Sequence, residues 1–274
     1  MIRPDLHRAE VEAWRAERYA ALRREIGWLT LVGLDWLRPG VNRVGSAPDV
    51  EIVLPSGPPT AGTITLSDDG IRASGTRDGL TLGGMSVSDL RLVSDQDGDP
   101  TMLELGSLRL CLIERGQRPA LRTWDIDADA RRSFDGIDHW PVNPEWRVDA
   151  RFEPTPTRAL HVPDVLGFRD EQPSPGDVVF ERDGVVHRIQ ALAGGDAGEL
   201  WLVFGDATNR HETYGGGRFL YTSAPTTTGA VVVDFNRAYN PPCVFSSFAT
   251  CPLPWAANRL TLRIEAGERT WGRP

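Results

Sequence analysis

Apolar and polar residues alternate along most of this chain with the short period of β-strands, and only its first segment repeats like a helix. From Asp5 to about Ile26, Val11, Trp14, Leu22 and Ile26 fall roughly on one face, with Glu and Arg over the rest. Arg18 interrupts that stripe, and Gly27 supplies a helix stop. Strand-like runs follow at Trp28–Leu34, Val41–Val44, Glu51–Leu54, Gly62–Leu66, Leu90–Val93, Met102–Leu105 and Leu108–Glu114. Pro39-Gly40, Asp69-Gly70, Asp78-Gly79 and Asp97-Gly98 punctuate them as turns. Short strands at this spacing, with no helical pattern between them, predict a mainly β protein built on a sandwich or barrel.

Between Trp124 and Trp146 the pattern loosens, which predicts a connector with little regular structure. A strand resumes at Arg147–Phe152, and Pro154, Pro156 and Pro163 keep the following chain extended. In VVFERDGVVHRIQAL, Asp183-Gly184 suits a tight primed turn between two apolar strands. Glu199–Phe204, Phe219–Thr222, Gly229–Phe235 and Arg259–Ile264 complete a second β-rich half. The expected division is a helix over 1–27, a first β-sandwich unit over 28–123, a connector over 124–146, and a second antiparallel sandwich or barrel unit over 147–274.

Composition narrows the function classes. A net charge of −8 argues against nucleic acid or an anionic membrane as partner. All 30 basic residues are arginine, which excludes a Schiff-base lysine, a pyridoxal phosphate enzyme and a P-loop lysine. Arginine forks remain available for carboxylates or phosphates. The charged N-terminal segment has no signal-peptide core and no apolar run matches a membrane span. Three cysteines, an odd number, are too few for a secreted disulfide scaffold, so a cytoplasmic location is expected.

Several segments in the last third are distinctive: FGDAT from Phe204, TYGGGRFL from Thr213, DFNRAYNPPCVFSSFATCPLPWAANRL from Asp234, and IEAGER from Ile264. With GWLTLVGLDWL near the start and LRTWD in the middle, the chain resembles domain-of-unknown-function family 1684 from Trp14 onward. That family carries no established activity to transfer. In the first half, VNRVGSAPDVEIVLP resembles the forkhead-associated sandwich. Ser46 stands after Gly45 where that family has its phosphate-binding arginine, and PPTAGTI lacks its serine and histidine. The resemblance therefore implies the sandwich without phosphopeptide reading.

Candidate chemistry concentrates in the second half. Asp234, Asn236, Tyr239 and Asn240, with Arg237, leave an apolar strand just before Pro241-Pro242. Such a cluster suits either a functional pocket or a turn held by Asp and Asn side chains. His211, Tyr214 and Arg218 flank Gly215-Gly216-Gly217, whose N–H groups suit an anion or a plain turn. Arg118 and Arg122 fall on one strand face, to clamp an anion or to pair with Glu114 and Asp125. Cys243 and Cys251 are spaced for buried structural thiols or a conditional disulfide rather than a zinc knuckle. The five histidines show no ligand spacing, so no metal and no cofactor is expected.

Two function classes follow. One is a small-molecule enzyme, a metal-independent hydrolase with Asp234 as acid/base, Asn236 and Asn240 orienting and Tyr239 as wall or proton donor. The other is a non-catalytic module binding an anionic metabolite, with a protein-interaction role for the first sandwich as a further alternative.

Overall fold

The computed structural model describes residues 3–116, 118–195 and 197–272. Strand accounts for 44% of it and helix for 13%, so the protein is mainly β, as the alternation predicts. The first element, α1 (Pro4–Leu22), ends well short of Ile26. Beyond it the Thr30 hydroxyl bonds to the carbonyls of Glu25 and Gly27 at 2.8 and 3.0 Å, and the Gly27 N–H donates back to that oxygen at 3.1 Å. This side-chain competition for backbone groups holds a turn where the sequence pattern suggested more helix.

One compact unit comprises Ala21–Phe134. Its strands are β1 (Leu31–Trp36), β2 (Gly40–Gly45), β3 (Ile52–Val53), β4 (Gly62–Ser67), β5 (Gly70–Gly75), β6 (Thr81–Leu82), β7 (Met85–Ser86), β8 (Leu90–Arg91), β9 (Met102–Leu105), β10 (Leu108–Arg115) and β11 (Arg118–Asp125). They form two sheets, ordered β1-β11-β10-β9-β6-β7 and β3-β2-β4-β5-β8. Val44, Ile52, Ile64 and Ala73 from the second sheet share one core with Leu103, Leu110, Leu112 and Leu121 from the first. The β4–β5 turn closes on Gly70, at the Asp69-Gly70 signal. A short helix, α2 (Asp129–Arg132), falls inside the expected connector.

The other unit comprises Met1–Ala20 and Asp135–Pro274. Its strands are β12 (Arg147–Pro163), β13 (Arg169–Arg182), β14 (Val185–Ala193), β15 (Leu200–Phe204), β16 (Arg218–Thr222) and β17 (Ala230–Asp234). They make one curled, half-barrel sheet ordered β16-β15-β14-β13-β12-β17. The prolines keep β12 extended, with a register break against β13 between Pro154 and Arg158 where ring nitrogens cannot donate. Between β13 and β14, Asp183 and Gly184 both take positive φ, 53° and 76°, the primed turn that the Asp-Gly pair predicts. The expected strand Arg259–Ile264 does not form. That segment runs irregularly beside Gly205–Ala207, with the Leu260 N–H on the Gly205 carbonyl and the Ala207 N–H on the Leu262 carbonyl.

The concave face fills with Trp146, Val178, Phe180, Ile189, Leu202, Phe204, Leu220, Val233 and Ile264. Phe235 is fully buried at the centre, edge-on to Trp146, Phe180 and Phe204 with centroids 5.5–6.1 Å apart. These T-shaped contacts set the position at which the chain leaves β17.

Candidate functional site

Along β17, Val231 and Val233 point into the core, and Asp234 follows at the rim. Its Oδ1 accepts the Asn236 N–H at 3.1 Å and the Asn236 amide Nδ2 at 2.9 Å. Its Oδ2 accepts His7 Nε2–H at 2.7 Å. Both oxygens are engaged, and the carboxylate caps the short turn Phe235–Arg237. Asn236, wholly buried, exchanges two hydrogen bonds of 2.9 Å with the backbone of Asn143. Asn240, also buried, donates its backbone N–H to Glu268 Oε2 at 2.6 Å and its amide to the Arg269 carbonyl at 2.7 Å. Asp234 and Asn236 therefore spend their polar groups on neighbouring backbone and side chains, while the Asn240 Oδ1 is buried without a hydrogen-bond partner.

Tyr239 differs. Its ring lies under the Arg18 guanidinium, 4.4 Å from the centroid, and edge-on to Phe219. Its plane is within 9° of the Tyr221 ring, which is in turn within 10° of Trp201, a cross-strand partner on β15. Alternation along β15 and β16 puts Leu200, Leu202 and Phe204 in the core and leaves Trp201, Phe219 and Tyr221 on the convex face. Tyr221 is 49% exposed. The buried Trp201 Nε1–H lies beside the Tyr239 hydroxyl. Burial raises the pKa of both tyrosines, so both hydroxyls stay protonated donors at neutral pH.

Helix α1 covers one side of this face through polar residues. Trp14 approaches Tyr239 with centroids 6.4 Å apart. Arg18, the residue that breaks the apolar stripe, donates Nε–H to Glu268 Oε1 at 2.5 Å and Nη2–H to the Asn240 carbonyl at 2.9 Å. Arg15 donates to the Trp140 carbonyl at 3.1 Å, and its Nε is buried without a partner. His139 Nδ1–H donates to the Ile137 carbonyl at 2.6 Å, and burial lowers its pKa to about 4, so the ring is neutral. His7, Arg15, Trp201, Tyr221 and Glu268 do not stand out in the sequence. Only the interruption at Arg18 signalled that the helix buries a polar stripe.

The glycine-triplet residues are drawn inward. Arg218 is fully buried, forked onto Asp206 Oδ2 at 2.7 and 3.2 Å and onto the carbonyls of Ile264 and Ala266. Asp206 Oδ1 accepts the Thr208 N–H at 2.8 Å and hydroxyl at 2.6 Å. One ion pair thus ties the FGDAT, GGGR and IEAGE segments together. Gly217, at φ 90°, has no room for a Cβ against Pro254 and the Phe204 carbonyl. His211 is exposed in the turn that follows Thr208. Tyr214 bonds to Cys243 rather than joining His211 or Arg218.

Arg118 and Arg122 lie in the other unit on the same face of β11, as alternation predicts. They sit on aromatic rings: Arg118 is 4.4 Å from the Trp36 centroid, and Arg122 is 5.9 Å from those of Trp28 and Trp124. Among the described residues, no group of three or more His, Cys, Asp or Glu is placed to hold a metal ion. No helix among them is long and apolar enough to cross a membrane. A shallow groove lined by Phe152, Pro154, Gly198 and Ala224–Gly229 has no charged side chain in its walls.

A sequence profile of the family described as "Protein of unknown function (DUF1684)" matches residues 132–269. That match holds Asp206, Arg218, Asp234, Tyr239, Glu268 and both C-terminal cysteines, and takes in only residues 132–134 of the unit Ala21–Phe134. No match was found among curated proteins. The solution structure of an uncharacterised protein from Haloarcula marismortui is 27% identical, over 52% of this chain and 80% of that one, with a TM-score of 0.44.

Proposed function

This chain belongs to the DUF1684 family, which assigns no chemistry, and from its side chains we propose a non-catalytic small-molecule-binding module. Its ligand is a flat ring that stacks on the convex aromatic face of Trp201, Tyr221 and Tyr239. The observation that carries this reading is the alignment of Trp201 and Tyr239 with the half-exposed Tyr221 between them, at 10° and 9° to its plane. In this stack of rings the exposed Tyr221 gives a flat ligand ring an apolar partner.

The hydrolytic alternative asks Asp234 to act as acid/base, which needs an oxygen open to substrate. His7 and Asn236 occupy both, and His7 is itself wholly buried. That engagement favours binding over catalysis at this corner. The net charge of −8 and a cysteine count of three support a cytoplasmic protein that meets small molecules rather than nucleic acid.

The test is saturation-transfer NMR with a panel of aromatic carboxylates, nucleobases and flavin-like rings. At least one member should show contact, raise the melting temperature, and lose both effects in Tyr221→Ala. A panel without any response, or a response unchanged in Tyr221→Ala, overturns the reading.

A further inference from the structure

Three thiols stand in three environments. Cys111, in the unit Ala21–Phe134, is buried, and burial pushes its pKa up to about 11, so it stays an inert thiol. Cys251 is buried in the other unit, and Cys243 is half-buried in the short turn Pro242–Val244. The Cys243 N–H donates to Cys251 Sγ at 3.0 Å, which holds the two residues side by side. The Cys251 thiol and the Tyr214 hydroxyl both hydrogen-bond to Cys243 Sγ. Those two bonds, the one from Cys251 being the stronger, hold the Cys243 pKa below the usual thiol range against the opposing pull of burial. Pro241, Pro242, Pro252 and Pro254 stiffen the chain around the pair.

We propose that Cys243 and Cys251 form a modification site, at which hydrogen peroxide closes an intramolecular disulfide. Cys243 is the attacking thiol, because it alone of the pair is partly open to solvent, and two side-chain donors, the Cys251 thiol and the Tyr214 hydroxyl, face its sulfur. Its thiolate attacks one peroxide oxygen, the O–O bond breaks, and a sulfenic acid forms on Cys243. The leaving hydroxide takes a proton to become water. The Cys251 sulfur gives up its proton and attacks the Cys243 sulfur. The S–O bond breaks, the S–S bond forms, and a second water leaves. Two electrons pass from two thiols to one peroxide. Tyr214 is a positioning residue whose hydroxyl stabilises the attacking thiolate.

The experiment exposes the reduced full chain to hydrogen peroxide, with peptide mapping by mass spectrometry. The Cys243 and Cys251 peptides should become linked while Cys111 remains free. Cys251→Ser should stop at a sulfenic acid on Cys243 that dimedone traps, and Cys243→Ser should abolish the fast reaction. Tyr214→Phe should slow it by about three- to tenfold, the value of one hydrogen bond. Competitive alkylation of the unaltered chain checks the same point without any variant, and Cys243 should label about tenfold or more faster than Cys111. Equal labelling of the two, peroxide oxidation of Cys111 as fast as Cys243, or an undiminished rate in Cys243→Ser would each overturn the proposal.

Discussion

Arg18 and Glu268, 250 positions apart, meet with Arg18 Nε 2.5 Å from Glu268 Oε1, and the Glu268 side chain has no solvent exposure. A buried carboxylate is tolerated only when its oxygens are occupied, and Arg18 with the Asn240 N–H occupies both. Arg18→Ala strands that charge, and we expect it to cost about 3–5 kcal/mol of unfolding free energy. Urea denaturation checks this, and combining Arg18→Ala with Glu268→Gln should recover part of the loss.

Asp234 holds His7 and Asn236 at once. In Asp234→Asn an amide group replaces one acceptor, and His7 Nε2–H is left facing a donor or forced to change tautomer. The expected cost is about 1–3 kcal/mol, with ligand response on the aromatic face retained. A variant as stable as the parent would show that the corner does not depend on this charge.

Asp35, on β1, has its carboxyl pKa pushed up to about 6 by burial. The folded state therefore holds this proton more tightly than the unfolded chain, whose carboxyl titrates near 3.8. Stability from the protonated form is present below pH 3.8 and is lost as pH rises through about 6. The side chain is partly solvated, which screens the penalty, so Asp35→Asn should add about 1 kcal/mol at pH 8. It should add nothing measurable at pH 3.5 or below, roughly, where both forms are neutral. Chemical denaturation at the two pH values reads the difference.

Gly267 adopts φ 79°, and a Cβ there would collide with the carbonyl oxygens of Ala238 and Phe235. Because those are backbone atoms of a packed segment, they have little room to give. Gly267→Ala should cost about 2–4 kcal/mol and displace Glu268 beside it, lowering the thermal midpoint. Gly116→Ala, at φ 60° but with nothing near its Cβ position, is the matched control for φ strain alone and should cost less.

Local chemistry sufficed for much of the fold. Period-two alternation predicts a mainly β chain because each half-buried strand must turn apolar residues to one face. Asp183-Gly184 fixed a hairpin because both positions need positive φ, which that pair adopts at low cost. Distinctive motif residues were legible as motif, yet their jobs were not. Arg218 reads as a ligand-binding residue because a sequence lists a guanidinium without its partner, and only folding brings Asp206 and two carbonyls around it. Arg259–Ile264 reads as a strand because its residues suit one, but it makes a single isolated bridge, from Arg259 to Gly205 just beyond the end of β15. The polar face of α1 and the aromatic face of β15 and β16 depend on residues from opposite ends of the chain. Arg18 is an exposed-looking flaw in an amphipathic stripe until Glu268 is placed against it, and that placement is a property of the tertiary structure alone.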